Sequence, residues 1–381
     1  MITKIINGKV LINGKFTENN VYLTDNKISE ITDQNLIYDK LIDAEGNYVT
    51  AGFIDMHCHG GGGADFSDGT VDSVITAAQT HLLHGTTSIF PTVTSSSFPE
   101  TEQALIAIEQ AKGKLASIRD AHLEGPYFSP AQMGAQNGEQ LKAPNKTDYI
   151  KLIKNYKIAR WDYAPERDCE LEFLKCLTEN GIVAAAGHTD ATIDQMYAAH
   201  LNGCNLITHL YSCTSTIRRE KGFRIAGVTE AAYLYDGIYA EIIADGKHLP
   251  NQLIQFAYKF KGNGKLALIT DAIRAAGTDI KETFTGKLNT GVKCIIEDGV
   301  AKLPDRSAFA GSVATADVLI KTALGAGISL PEAIKMLTEV PAEIMGLKNK
   351  GQIKYGYDAD LVIFDRDINI KNVILNGNVV L

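Results

Sequence analysis

Between residues 50 and 273 the chain alternates short apolar runs with segments whose apolar residues recur at helical spacing. The short runs are TAGFIDMHCH (50–59), GTTSIFPTVT (85–94), SIRDAHLEGPYF (117–128), KIARWDYAPE (157–166), GIVAAAGHT (181–189), CNLITHLYS (204–212), IYAEIIADGKH (238–248) and KLALITDAI (265–273). Between them lie SVITAAQTHLLHG, PETEQALIAIEQAKG, ELEFLKCLTENG, IDQMYAAHLNG and NQLIQFAYKFKG, which close on glycine, the usual helix stop. Eight strands alternating with helices predict an α/β fold, a closed (β/α)8 TIM barrel. An open doubly wound sheet is the weaker reading, because no glycine fingerprint follows the first strand.

The two ends have a different texture. KIINGKVLI (4–12), NVYLTDNKISEI (20–31), YDKLIDAEGNYV (38–49) and the final stretch from Lys350 are short β-rich runs broken by turn signals such as Asn-Gly. Neither end can bury a sheet face alone, so the pattern predicts one small β-domain from residues 1–51 and 348–381, with the barrel, 52–347, inserted between.

Composition narrows the function classes. The 381 residues carry 37 Lys and Arg against 45 Asp and Glu, a net charge of −8, which argues against a dedicated nucleic-acid binder. No apolar run reaches the ~18 residues of a membrane span, and the N-terminus lacks the pattern of a secretory signal. Six scattered cysteines (58, 169, 176, 204, 213 and 294), with no C-x-x-C pair, read as reduced thiols of a cytoplasmic protein.

Chelating side chains gather at the ends of six strands, and in a barrel those ends converge on one mouth. A period of two puts Asp55, His57 and His59 on one face of strand one, the imidazoles aimed at a single metal and Asp55 placed either to orient one of them or to make a structural hydrogen bond. Strand three ends in His122-Leu123-Glu124, strand five in His188, strand six in His209, strand seven in Asp245 and His248, and strand eight in Asp271. Taken singly, each has a structural alternative: His122 as a satisfied buried histidine, Asp271 as a helix N-cap. Together they do not. His81 and His84, near a helix C-terminus where a cation suits the dipole, read as structural, as does His200.

H-x-H on strand one, Glu on strand three, His on strands five and six and Asp on strand eight resemble the amidohydrolase superfamily. More narrowly, GFIDMHCHG, HLEGPYFSP, AAGHTDAT, THLYS, EIIADGKH, ALITDA and FAGS resemble, in order and spacing, the N-acetylglucosamine-6-phosphate deacetylase family. The resemblance implies that the terminal β-domain is a β-sandwich, and it implies one or two divalent metal ions: zinc suits imidazoles with carboxylates, as do iron and manganese. Members that keep H-x-H hold two, with His57, His59, Glu124, His188, His209 and Asp271 as ligands and Glu124 bridging. It further implies Asp271 as general base, His248 on the substrate carbonyl or a sugar hydroxyl, and Phe309-Ala310-Gly311 as a substrate wall. The expected activity is deacetylation of an N-acetyl amino-sugar 6-phosphate, most simply the glucosamine compound.

The phosphate needs a positive site on a protein of charge −8, and the basic stretch Arg218-Arg219-Glu220-Lys221-Gly222-Phe223-Arg224 follows the sixth-strand ligand. By resemblance, Arg219 is the phosphate arginine, supplied by the partner subunit of a homodimer. Two departures bear on the sugar. Ser212-Cys213 replaces an Asn-Ala pair that touches the phosphate, and Ala135-Gln136 replaces an Ala-His pair. They leave open another N-acyl amino sugar, such as the galactosamine 6-phosphate or an unphosphorylated compound. A cyclic-amide hydrolase is disfavoured, because Glu124 takes the bridging place of the carboxylated lysine common there. A metal-binding or sugar-sensing protein without catalysis would have no use for Asp271 as a base.

Overall fold

The computed structural model describes all 381 residues. Eight parallel strands form the central sheet: β1 (Phe53–Cys58), β2 (Thr86–Val93), β3 (Ala121–Glu124), β4 (Ile158–Tyr163), β5 (Val183–Ala186), β6 (Leu206–Ile207), β7 (Tyr239–Ile243) and β8 (Leu266–Ile269), each paired with its neighbour in chain order. The first and last strands meet at the mouth, where Asp271 N donates to His57 O at 3.0 Å and His59 N to Ala272 O at 2.8 Å. All eight strands are those expected from the apolar runs, and the sheet is a TIM barrel.

The helices expected from the pattern are α1 (Val71–Leu83), α2 (Phe98–Lys112), α4 (Glu172–Glu179), α5 (Ile193–Leu201) and α7 (Asn251–Lys261), with α3 (Lys146–Asn155) and α6 (Val228–Leu234) completing the crossovers. Local chemistry sets their starts. Thr70 caps α1 and Thr192 caps α5, each accepting from the backbone N–H of the third helical residue (Ser73, Gln195), whose own side chain reaches back to the cap. After β8 the chain adds a three-stranded antiparallel sheet (Glu282–Thr285, Val292–Glu297, Val300–Lys302) before α8 (Ala316–Gly325), an insertion the pattern analysis does not anticipate.

At the ends of the chain, a four-stranded sheet (Ile2–Ile6, Asn20–Thr24, Lys27–Thr32, Lys40–Asp43) faces a six-stranded one that mixes Lys9–Ile12, Lys15–Thr17 and Tyr48–Ala51 with Leu361–Phe364, Ile370–Leu375 and Asn378–Val379. Ile5, Val21, Ile28, Val49, Leu361, Ile363 and Ile374 are buried in one shared core, so residues from both termini make a β-sandwich. Phe53 meets Phe364, with ring centroids 6.2 Å apart, where barrel and sandwich adjoin.

Strand β1 departs from simple alternation. Ile89 of β2 lies opposite Asp55, but Pro91 lies opposite Cys58, so Met56 and His57 on β1 face the single residue Phe90 on β2, a β-bulge. The bulge overturns the expectation that Asp55 shares a face with His57 and His59. Asp55 groups with Cys58 and with His81 of α1, while His57 and His59 group with Asp271. Asp55 accepts from Thr270 Oγ1 at 2.5 Å and from the His57 backbone N at 3.3 Å, which ties β1 to β8 and orients no imidazole. His81 is structural, but not as a helix-end cation: burial pushes its pKa down to about 4, and the neutral ring hydrogen-bonds Gly60 O at 2.9 Å. His84 Nδ1 lies 2.9 Å from Asp317 Oδ1. His200 meets Asn205 at 2.6 Å, a structural contact.

Candidate metal and active site

The strand ends deliver their chelators through unusual backbone geometry. His188, His209 and Asp271 have φ of 44°, 25° and 47°, in the left-handed region that non-glycine residues seldom enter. Each stands two residues past the end of its strand, and the turn directs the side chain into the cage instead of continuing the pleat. Such conformations persist only where the surroundings over-determine them, and they concentrate at functional sites. Beside Asp271, Gly311 at φ 82° has no room for a side chain: a Cβ there would stand 2.8 Å from Asp271 O and 2.7 Å from Ile273.

The six expected ligands form one cage. Glu124 Oε1 lies 3.1 Å from both His188 Nε2 and His209 Nε2 and 3.4 Å from His57 Nε2. Its Oε2 faces His59 Nε2 at 3.3 Å, and Asp271 Oδ1 is 3.2 Å from His59 and 3.5 Å from His57. Bonds of ~2.0–2.1 Å in a tetrahedral site imply ligand separations of roughly 3.3 Å. The cage therefore has the donor set and spacing of a metal centre, with Glu124 between its two halves.

Hydrogen bonding agrees. His57 Nδ1 meets Glu241 Oε1 at 2.8 Å, His188 Nδ1 meets Gln132 O at 2.9 Å, and His209 Nδ1 meets Ser212 O at 2.9 Å. Each acceptor puts the ring proton on Nδ1 and turns Nε2 to the cage, the arrangement usual in metal-ligating histidines. His57 Nε2 is buried without a hydrogen-bond partner.

Charge points the same way. Burial opposes ionisation of Glu124, but the imidazoles of His188, His209, His57 and His59 hold it well below the usual carboxylate range. Burial likewise opposes charge on His59, yet Asp271 and Glu124 push it up to about 10. Asp271 is held down, against burial, by the hydrogen bond from His59 and the charge of His57. The carboxylates thus call for positive charge, which either extra imidazole protons or a cation supplies; a cation would displace those protons.

Above the cage is a cavity of about 280 Å³. It is lined by His59, Glu124, His188, His209 and Asp271, and also by Ala135, Gln136, Ser212, Cys213, His248, Phe309, Ala310 and Gly311. Of the expected site residues, only His57, buried beneath the cavity, and Arg219 are not part of its wall. Arg219 is exposed on a hairpin, Arg218–Glu220 with Phe223–Ile225, where the basic stretch forms strands. Its neighbour Arg218 is engaged by Glu220 at 2.6 Å. Gln136 is pinned: Nε2 donates to Glu124 Oε2 at 2.6 Å, and Oε1 accepts from Thr94 Oγ1 at 2.8 Å and Ser95 N at 3.1 Å. His248 Nδ1 lies 2.8 Å from Asp245 Oδ2, leaving Nε2 for other partners. Gly134, at φ 55°, seats the loop after β3 on Cys213, where a Cβ would come within 2.6 Å of the sulfur.

Sequence reasoning missed the charged layer under the cage: Arg160 and Asp162 on β4 and Glu241 on β7, all fully buried. Their signal was present as charges at alternate positions of otherwise apolar strands. His122 belongs to this layer. Burial lowers its pKa to about 4; Nδ1 meets Thr92 Oγ1 at 2.9 Å and Nε2 lies 2.9 Å from Asp162 Oδ1, so it sits as a buried histidine of this layer.

Comparison with known proteins gives a consistent picture. Residues 48–380 match the model of the amidohydrolase family. The N-acetylglucosamine-6-phosphate deacetylase of Lysinibacillus sphaericus is 30% identical over 99% of this chain and 98% of its own length, and that of Bacillus subtilis is 31% identical over 94% and 92%. The crystal structure of the Pasteurella multocida enzyme of the same name superposes with a TM-score of 0.92 at 29% identity, covering 100% of this chain and 99% of that one.

Proposed function

The chain belongs to the amidohydrolase family, and from that premise we propose that it is a metal-dependent hydrolase that deacetylates N-acetyl-D-glucosamine 6-phosphate to glucosamine 6-phosphate and acetate. The observation that carries this reading is the single cage of His57, His59, Glu124, His188, His209 and Asp271 at 3.1–3.5 Å, opening on a polar cavity.

His57, His59 and Asp271 would hold one divalent cation and His188 and His209 a second, with Glu124 within reach of both; zinc suits this set, as do iron and manganese. When bound, the metal would supply Lewis-acid polarisation of the amide carbonyl and lower the pKa of a coordinated water towards neutrality. Asp271 takes the proton of the attacking water and delivers it to the departing amine nitrogen. His248, oriented by Asp245, offers Nε2 to the carbonyl oxygen or a ring hydroxyl. Phe309, Ala310 and Gly311 form one wall for the sugar, and Ser212, Cys213, Ala135 and Gln136 another.

The cavity wall contains no Lys or Arg, so the charge that balances a 6-phosphate comes from outside it. Arg219, exposed on its hairpin, serves that role from the second copy of a homodimer. The same absence, with Ser212-Cys213 in place of Asn-Ala, favours a second reading: the same chemistry on an unphosphorylated N-acyl amino sugar. No helix is long and apolar enough to cross a membrane, and the six cysteines are all free, which suits a cytoplasmic enzyme.

One experiment tests both readings. Full-length protein is stripped with a chelator, reloaded with zinc, and assayed for acetate release from N-acetylglucosamine and N-acetylgalactosamine, each with and without 6-phosphate. Zinc-dependent turnover highest on N-acetylglucosamine 6-phosphate is the expected result. Preference for a plain sugar moves the assignment to the second reading, and full activity in the stripped protein rejects the metal mechanism.

A further inference from the structure

Barrel interiors are ordinarily filled by branched aliphatic side chains. Here the layer beneath the cage instead holds Arg160, Asp162 and Glu241, each at 0% exposure. Burying charges costs several kcal/mol per ion, and well-packed apolar residues commonly serve stability as well or better. Such a layer needs a reason other than stability, and its contacts supply one.

Arg160 spans two carboxylates. Nε and Nη2 donate to Asp162 Oδ1 and Oδ2 at 2.7 and 2.9 Å, while Nη1 and Nη2 donate to Glu241 Oε2 and Oε1 at 2.6 and 2.8 Å. Thr208 Oγ1 adds a bond to Asp162 Oδ2 at 2.8 Å. Glu241 is thereby locked, and its Oε1 receives the Nδ1 of His57 at 2.8 Å and the backbone N–H of His209 at 3.3 Å. The two halves of the cage are supported differently. His188 and His209 rest their Nδ1 atoms on the main-chain carbonyls of Gln132 and Ser212. In the H-x-H half, His59 Nδ1 has no partner, so the only anchored imidazole is His57, and its anchor is a side chain.

We propose that the Arg160–Glu241 pair is the positioning device of the H-x-H half of the metal centre, holding His57 with Nε2 presented to the cage and so deciding whether that half binds its cation. This rests on the two-cation reading above. Arg160 and Glu241 touch neither substrate nor metal; they act through His57. Removing an outer partner of this kind costs 10–100-fold in metal affinity. The loss falls mainly on that half, because the imidazoles of the other rest on the main-chain carbonyls of Gln132 and Ser212, which no substitution here removes.

The test is zinc binding to the chelator-stripped, full-length chain, titrated against a chromogenic chelator. Wild type is expected to take up two zinc ions per chain. Glu241→Gln keeps the shape and the acceptor at Oε1 but turns an amide NH2 onto Arg160 Nη1. Arg160→Lys keeps the charge but cannot fork between the two carboxylates. Each is expected to weaken one zinc by 10–100-fold and leave the other within threefold. His59→Ala, which removes a ligand of the same half, should produce the same loss, and combining it with Glu241→Gln should add little. The proposal is overturned if either cooperatively folded variant binds two zinc ions with wild-type affinities, or if the losses add fully. Uptake of fewer than two ions by the wild type overturns it together with the two-cation reading, and is distinguishable because it concerns the unmutated chain.

Discussion

Replacing Gln136 by Met keeps most of the side-chain volume and removes every polar contact of the amide. The bond from Nε2 to Glu124 Oε2, 2.6 Å long, has a charged acceptor, and such bonds contribute about 1.5–3 kcal/mol. Thr94 Oγ1 and Ser95 N lose their acceptor at the same time. Glu124 is the carboxylate shared by both halves of the cage, so slackening its orientation should weaken metal binding about 10–100-fold. That corresponds to about 1.4–2.7 kcal/mol, in keeping with the loss of one charge-assisted bond. Two measurements decide the matter: zinc affinity of the chelator-stripped protein, and steady-state deacetylation at saturating zinc. Weaker zinc binding and a lower kcat, with KM within about twofold, are expected of a residue that orients a ligand. A KM raised tenfold with kcat and zinc affinity unchanged would instead make Gln136 a substrate contact, as the resemblance implies for its position, and would refute the reasoning.

Asp271→Asn, assayed at saturating zinc, should lower kcat by about 10²–10⁴-fold, the usual worth of a positioned general base; residual activity above a tenth of wild type removes Asp271 from that role. Arg219→Ala should raise KM for the 6-phosphorylated sugar and leave the plain sugar unaffected, and equal effects on both would dismiss the phosphate assignment. His81 titrates at about 4 when folded and near 6.5 when unfolded. As pH falls through that window the unfolded chain gains a proton the folded one refuses, so stability falls by up to about 3 kcal/mol. Urea denaturation of His81→Gln between pH 7.5 and 4 should show a shallower decline, and an unchanged slope would mean that His81 is not held neutral.

Much of this was legible in the linear pattern. The eight apolar runs mark the eight barrel strands because a strand buried on both faces must be nearly continuous in apolar residues. The helix ends follow from the glycines next to them, such as Gly113 and Gly262 directly after α2 and α7. The cage residues stood out because chelating side chains sit where those runs stop, and in a parallel barrel the stops share one mouth. The insertion at Glu282–Lys302 was not legible, since its strands are short, mix polar with apolar residues, and form a small sheet of their own.

By itself, the sequence determined the barrel, its terminal β-domain and the pool of strand-end chelators, because periodicity and strand ends are local properties of the chain; the family resemblance picked the six cage residues from that pool. The tertiary structure alone decided how those residues are oriented. The bulge in β1 comes from pairing with β2, and it moved Asp55 to the helix side, with Cys58 and His81, while His57 and His59 stayed inside. Glu241 replaced Asp55 as the partner of His57 from 184 positions away, and Gln136 was pinned to Glu124. No spacing rule carries such contacts, because they exist only once the strands have closed around a common axis.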